Sequence, residues 1–192
     1  MYVLLRRLLI RLILPLRWRL SRRRPADALA EFAATEADSG WQFLHAMEQI
    51  EAPEDRALLF HNILEESEHA TLFDNLVRDL RGGVSVPDSA PRNSMVDEQG
   101  GLAEFLAYVY AGELDISQEF EAYADATQIE EAAALFRHIQ EEEEGHHHNL
   151  RGALMAAAGS DERAEKLVKK ARRSRMWLAW LRFWKRFGEG FM

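Results

Sequence analysis

The sequence has 192 residues, 47% of them apolar, and a net charge of −8. This length suits one domain with a substantial core and is short for two. The chain has no cysteine, which excludes disulfides, thiolate metal sites and cysteine-ligated iron.

Charge divides the chain into three parts. Residues 1–24 carry eight arginines and no acid, and residues 163–192 carry ten lysines or arginines and two acids. Residues 25–162 therefore hold six basic and thirty acidic side chains. Such asymmetry predicts that the basic ends and the acidic body have different partners. Because the body repels phosphates, nucleic acid is not an expected partner.

Residues 1–25 are predicted to form a basic amphipathic segment. Arginines inside its apolar stretch oppose a membrane span, since each costs roughly 2.5–3.5 kcal/mol at the bilayer centre. The arginines that follow the stretch also oppose a secretory signal. We expect an interfacial helix on an anionic membrane surface. Contact with the body, a second copy or a partner protein is the alternative, and so is an organellar targeting peptide.

Helical patterning then fills residues 26–158. Asp27 is a candidate cap of a first helix that runs to about residue 50. Pro53 suits the first turn of a second helix, and Gly82 ends that helix. After a loop at 82–101, a third helix is predicted to about residue 126.

A break near Thr127 separates the third helix from a fourth, which Gly159 ends. The three connections are thus short, long and short. Short turns make neighbouring helices antiparallel, whereas about twenty residues can cross the length of a bundle. The pattern predicts an all-α, up-down-down-up four-helix bundle.

Residues 159–192 are predicted to form a basic, Trp-rich helix. Trp177, Trp180, Leu181 and Trp184 fall on one face, and tryptophan prefers the headgroup level of a membrane. We expect a peripheral protein at the cytoplasmic face of a membrane, with an organellar matrix as the alternative location. A homodimer or partner contact is the alternative use of this helix.

An internal repeat relates the two halves of the body. With an offset of 77 positions, residues 34–69 match residues 111–146 without gaps and with eleven identical pairs. Roughly two or three identities are expected by chance on simple counting. The first two helices therefore look like a copy of the last two, which predicts an internal two-fold repeat.

The repeat contains two Glu-x-x-His motifs, Glu66–His69 and Glu143–His146. Residues three apart share a helix face, so each carboxylate and imidazole point the same way. Glu144–His147 offers a competing register. We favour Glu143 because its face continues to apolar residues, as a core-facing ligand requires.

Glu36 and Glu113 are a further matched pair. If each faces the glutamate of its neighbouring helix at equal height, the turns fall at about positions 51 and 128, close to the breaks predicted above. All four glutamates and both histidines should therefore lie at one level of the bundle. Two divalent cations there would balance four carboxylates that are otherwise costly to bury.

These residues resemble the ferritin-like di-metal carboxylate superfamily, in particular its erythrin or rubrerythrin branch. The resemblance covers about residues 27–158 and neither tail. It implies two iron ions, with manganese or a mixed Fe/Mn pair as alternatives. The implied ligands are Glu36, Glu66, His69, Glu113, Glu143 and His146. Rubrerythrins proper add a cysteine-ligated iron domain, which this chain lacks.

The resemblance implies a di-iron oxidoreductase that oxidises Fe(II) or reduces peroxide or O2, and the basic amphipathic ends predict that it is membrane-associated. Electrons must then come from the ferrous ions, a reduced quinone or another protein. A quinone or lipid hydroxylase or desaturase of the di-iron type is one alternative. A non-catalytic iron-binding or structural subunit is the other.

Other polar residues receive weaker assignments. His61 and His138 are expected at the surface, pairing with Glu65 and Glu142. His147 and His148 are expected to face solvent or to contact metal from outside, and His45 is expected to be ordinary. Glu65, Glu142, Glu119 and Glu121 are unassigned candidates for extra carboxylates. Phe43 and Phe120 are expected to pack beside the site.

Overall fold

A computed structural model describes residues 11–12, 25–83 and 93–189, with side chains to residue 178 except at positions 117, 118 and 144. Within these residues, six helices have defined bounds. They are α1 Pro25–Met47, α2 Pro53–Arg81, α3 Met95–Gln99, α4 Leu102–Ala126, α5 Glu130–Ala158 and α6 Asp161–Glu189.

Most helix ends lie where the sequence predicts them. Pro53 occupies the first turn of α2, where its missing N–H costs nothing. Gly82 ends α2 with φ of 70° and Gly159 ends α5 with φ of 72°, a conformation that glycine adopts readily. Thr127 is extended and separates α4 from α5.

The start of α1 differs from the prediction. The helix begins at Pro25, so Asp27 lies in its first turn and does not cap it. Proline is well suited to a first helical position, which explains the earlier start. Asp27 instead forms a salt bridge with Arg81 at the far end of α2. This pair joins the free ends of the α1–α2 hairpin.

Residues 93–101, the described end of the predicted loop at 82–101, include a short helix, α3, so the loop prediction is corrected there. Val96 is fully buried in the core. The buried amide of Gln42 donates to the carbonyl of Asn93 at 2.9 Å and accepts from the N–H of Met95 at 2.8 Å. Gln42 thereby holds the end of the crossover against α1.

Side-chain contacts define the direction of the two central helices. Asn62, Glu65 and His69 of α2 meet Asn149, His146 and Glu142 of α5, in that order. The numbers rise on one helix as they fall on the other, so α2 and α5 are antiparallel. With hairpins α1–α2 and α4–α5, this gives the predicted all-α, up-down-down-up bundle.

Two apolar clusters fill the bundle, one towards each end. The first contains Phe43, Leu59, Phe105, Leu150 and Leu154, and the second contains Leu29, Phe73, Phe120, Phe136 and Ile139. Phe43 and Phe120 are thus core residues, as predicted. The predicted metal-binding residues separate the two clusters in sequence on every long helix of the bundle.

The basic ends are described only in part. Arg11 is helical and its guanidinium lies 2.6 Å from the carboxylate of Asp125 on α4. The first half of α6 packs on the bundle through Ala164 and Ala171. Further along α6, Trp177 is 61% exposed. The predicted face formed by Trp180, Leu181 and Trp184 lies outside the described side chains.

None of the described helices has an apolar stretch of the length that a membrane span requires.

Candidate metal centre

Helices α1 and α4 each place one glutamate inside the bundle. Glu36 and Glu113 lie on the buried faces of these helices, 5% and 7% exposed. Each is the repeat equivalent of the other. Both are flanked along their helix by buried apolar residues, so they occupy core positions that a leucine would otherwise fill.

Helices α2 and α5 each contribute a Glu-x-x-His pair. Glu66 and Glu143 are 1% exposed, and His69 and His146 are fully buried. The three-residue spacing places carboxylate and imidazole on one face, as the sequence predicts. Glu144 belongs to the alternative Glu144–His147 motif, and its side chain is not among those that the structure describes.

These six side chains form two groups of potential ligand atoms, each group lying within 4.8 Å. One group is Glu36, Glu66 and His69, and the other is Glu66, Glu113, Glu143 and His146. Glu66 belongs to both groups and is therefore placed to bridge them. The structure thus brings together all six residues that the sequence selects.

Each buried histidine is oriented by a glutamate from the opposite hairpin. Nε2 of His69 lies 2.9 Å from Glu142, and Nε2 of His146 lies 2.8 Å from Glu65. An Nε2–H that donates to a carboxylate leaves Nδ1 with its lone pair free for a metal. These cross-hairpin contacts give Glu65 and Glu142 the role that the sequence left unassigned.

Two exposed histidines extend these contacts to the surface. His61 lies 3.2 Å from Glu65 and His138 lies 3.7 Å from Glu142, each one turn apart on its helix. The predicted pairing of both histidines with these glutamates is confirmed. Two equivalent series of contacts therefore run from surface to core, each from an exposed histidine through a glutamate to the buried histidine of the opposite hairpin.

Burial makes the acidic groups of the centre easier to protonate when no cation is present. Burial raises the pKa of Glu36 and of Glu143 from 4.5 to about 7. Burial, followed by neighbouring carboxylates, raises the pKa of Glu66 and of Glu113 well above the usual value. Burial also lowers the pKa of His69. Low dielectric and like charge together favour neutral side chains here.

Several buried ligand atoms have no hydrogen-bond partner within the described part of the chain. They are Nδ1 of His69, Nδ1 of His146, Oε2 of Glu66 and Oε2 of Glu143. Buried polar atoms normally have partners, and unpaired ones are unfavourable. All four belong to the two ligand groups, and two divalent cations would satisfy them. The residues present therefore fit a di-metal site.

The two halves of the centre differ at Arg175 of α6. Its guanidinium lies against Gly112, where an added Cβ would come within 2.8 Å of Nη1. It also lies 5.0 Å from the ring centre of Tyr108 and 3.8 Å from Asp115. The charge of Arg175 counteracts the rise in the pKa of the adjacent Glu113. The repeat equivalent of Gly112 is threonine, so only the second half accepts this arginine.

The remaining candidates lie outside the two groups. His45 contacts the ring of Trp41, His147 contacts Tyr110, and His148 is exposed. Glu121 lies 4.0 Å from Arg11. Glu119 is buried on α4, but it belongs to neither group of potential ligands.

Comparison with known proteins supports the predicted resemblance. Residues 104–180 match the family model of rubrerythrin, in agreement with a ferritin-like, di-iron carboxylate domain of the rubrerythrin type. The match contains Glu113, Glu143 and His146. The internal repeat relates these residues to Glu36, Glu66 and His69 of the first hairpin. No curated protein and no solved structure matches the chain.

Proposed function

We propose, from the rubrerythrin match at residues 104–180 and the buried carboxylate–histidine cluster, that this chain is a di-iron oxidoreductase. Its proposed activity is the oxidation of Fe(II) coupled to the reduction of peroxide or O2. The observation that carries the proposal is the set of six buried side chains in two groups that share Glu66. Four carboxylates and two imidazoles are ligands that iron or manganese accepts.

The donor set argues against a structural zinc site. Such sites are usually closed tetrahedra with thiolate or imidazole ligands, whereas this chain has no cysteine and its cluster has more carboxylates than histidines. One group has three potential ligands and the other has four. A six-coordinate ion held by one atom from each of these residues would keep positions for a small oxidant.

Bound iron would supply the electrons for the reaction, one from each of two ferrous ions. Peroxide that accepts two electrons and two protons leaves as two water molecules. The protein's own part is to hold the cations, to orient the imidazoles through Glu65 and Glu142, and to exclude water with the apolar clusters on either side. Burial also means that cation entry must displace the protons that Glu66 and Glu113 hold.

The activity is tested by anaerobic loading with Fe(II) followed by peroxide or O2. We expect two irons to bind per chain and to be oxidised together, with a transient near-ultraviolet or visible band. Glu66→Ala should lose both metal positions, because Glu66 belongs to both groups. Exposed Glu68→Ala is the matched control on the same helix. Failure of the native chain to bind iron would overturn the proposal.

Two other outcomes would select the alternatives. Binding of two irons without repeated turnover would favour a non-catalytic iron-binding subunit. Copurification of a quinone or lipid that contacts the metal centre would favour a hydroxylase or desaturase. Native protein analysed for metal and for extractable lipid distinguishes all three.

Membrane association is the second part of the proposal. Met176, Trp177 and Leu178 of α6 are exposed in succession, and they follow Arg172 and Arg173. Exposed tryptophan beside basic residues suits the headgroup region of an anionic bilayer. We infer that the chain binds peripherally, at a cytoplasmic or organellar-matrix face.

Vesicle flotation tests this association. The chain should float with vesicles that contain phosphatidylglycerol and should not float with purely phosphatidylcholine vesicles. The double substitution Trp177→Ser with Leu178→Ser should reduce flotation, whereas Leu80→Ser, at an exposed apolar position on the body, should not. Equal flotation of both variants would contradict the proposed role of α6, with a homodimer or partner contact as the remaining use.

A further inference from the structure

One buried side chain beside the metal centre has a hydrogen-bond donor without a partner. Asn62 of α2 is fully buried, and its Nδ2 has no hydrogen-bond partner within the described residues. It lies one turn before Glu66, on the helix face that also carries His69. A core amide with an unused N–H is unfavourable unless something accepts the bond.

The other atom of this amide is fixed by α5. Oδ1 of Asn62 accepts from Nδ2 of Asn149 at 3.2 Å, and Asn149 follows His146 by three positions. Because the amide is planar, this bond holds the NH2 group of Asn62 away from Asn149. The donor is thereby oriented within the interior between α2 and α5, at the level next to the ligands.

The repeat shows that this amide is not required by the fold. The equivalent of Asn62 in the second half is Ile139, and the same offset relates Asn149 to Leu72. Ile139 is fully buried in the second apolar cluster. The position one turn before Glu66 therefore holds a buried amide that is paired with Asn149, whereas the equivalent position before Glu143 holds an aliphatic side chain.

We propose that Asn62 binds a small oxygen- or nitrogen-containing ligand beside the metals by donating a hydrogen bond from Nδ2. This inference rests on the proposed di-metal function and adds a specificity-determining residue to it. A peroxide-like ligand has lone pairs that can accept the hydrogen bond from Asn62 Nδ2. Ile139, at the equivalent position in the second half, offers such a ligand only apolar contact. The small ligand should therefore bind at the Asn62 end.

Azide is the probe for this proposal, because it is a small anion whose binding to ferric iron gives a charge-transfer band. The test uses the full chain loaded with iron, and the variants Asn62→Ile and Asn62→Leu. The first copies the second half of the repeat, and the second preserves the shape of asparagine. Both should bind two irons, and azide should bind about tenfold more weakly than to the native protein.

Asn149→Leu separates the donor from its orientation, because it removes the Asn62–Asn149 bond that fixes the amide and leaves the Nδ2 donor in place. Its azide affinity should lie between that of the native protein and those of the two Asn62 variants. A purely structural role for Asn62 predicts instead that all three variants lower the thermal stability of the metal-free protein and leave azide binding unchanged. We expect the Asn62 variants to be at least as stable as the native chain.

The outcomes separate the two proposals. Two bound irons with unchanged azide affinity in Asn62→Ile and Asn62→Leu would overturn the role of Asn62 alone. A native chain that binds no iron would overturn both this inference and the di-iron function. If Asn62→Ile does not fold, Asn62→Leu decides the question by the same measurement.

Discussion

At the scale of single residues, the centre depends on the orientation of two imidazoles. The sequence predicts which histidines are buried, because Glu-x-x-His recurs in matched positions of the repeat. It does not predict that Glu142 orients His69 or that Glu65 orients His146, since these contacts depend on the register between α2 and α5. Neither hairpin encodes that register by itself.

Removal of either orienting carboxylate should weaken metal binding. Glu65→Ala or Glu142→Ala leaves a buried imidazole free to rotate or to change tautomer, and losses of outer hydrogen bonds typically cost about 10–100-fold in metal affinity. Titration with Co(II), followed by its visible absorption, measures this effect. Glu68→Ala, exposed on α2, should bind as the native chain does. Unchanged affinity in both Glu65→Ala and Glu142→Ala would contradict the role given to these carboxylates.

The metal-free protein should lose stability as pH rises. Carboxyl groups with a higher pKa in the folded chain than in the unfolded chain favour folding at low pH, and this advantage is lost as they ionise. For Glu36 and Glu143, with a pKa of about 7, each loss is at most roughly 3 kcal/mol between pH 4.5 and pH 8. The two losses are not additive, because ionisation of one glutamate makes ionisation of the other less favourable.

Urea unfolding in chelator at pH 5.5 and at pH 8 measures this dependence. Glu36→Gln should have a flatter pH profile, since its amide does not ionise. Addition of Mn(II) should reverse the trend, because cations displace protons more easily as pH rises. Stability of the metal-free native chain that increases from pH 5.5 to pH 8 would be inconsistent with the buried acids.

At the scale of helices, the local sequence predicts where the long helices begin and end better than it predicts the structure of the connection between α2 and α4. Pro53, Gly82 and Gly159 each have a conformational reason to start or stop a helix, and the structure uses all three. The five residues of helix α3 are too few to show a clear period, and the burial of Val96 depends on contacts with distant parts of the chain, so the sequence does not predict this helix. Asp27 lies within the first turn of α1 because Pro25 starts that helix, and its carboxylate pairs with Arg81.

Gly145 offers a test of helix propensity beside the centre. It lies within α5 between Glu143 and His146, and an added Cβ would contact nothing within 4 Å. Gly145→Ala should raise the free energy of unfolding by about 0.5–1 kcal/mol. Chemical denaturation checks this, and metal affinity should not change. A destabilised variant would show that α5 does not tolerate a side chain there.

Gln42 tests how the crossover is held. Its buried amide makes two hydrogen bonds, to Asn93 and to Met95. Gln42→Ala leaves those backbone groups without partners and should cost about 1–3 kcal/mol. Exposed Gln49→Ala is the control on the same hairpin. If both variants unfold at the same denaturant concentration, Gln42 does not hold α3 in place.

At the scale of the whole molecule, duplication explains why a six-residue centre can be predicted from one chain. Two similar hairpins, packed antiparallel through α2 and α5, bring equivalent residues to the same level. The differences between the two halves could not be predicted from the sequence. They depend on the tertiary contacts of Arg175 with Gly112 and of Asn149 with Asn62. Arg175 lies on a helix that has no counterpart in the repeat.

The central claim is that Glu36, Glu66, His69, Glu113, Glu143 and His146 hold two metal ions. Anomalous X-ray scattering, recorded above and below the iron edge on crystals of iron-loaded protein, tests it most directly. Two iron peaks are expected inside the bundle, with Glu66 contacting both. A single peak, or iron bound only at the protein surface, would contradict it.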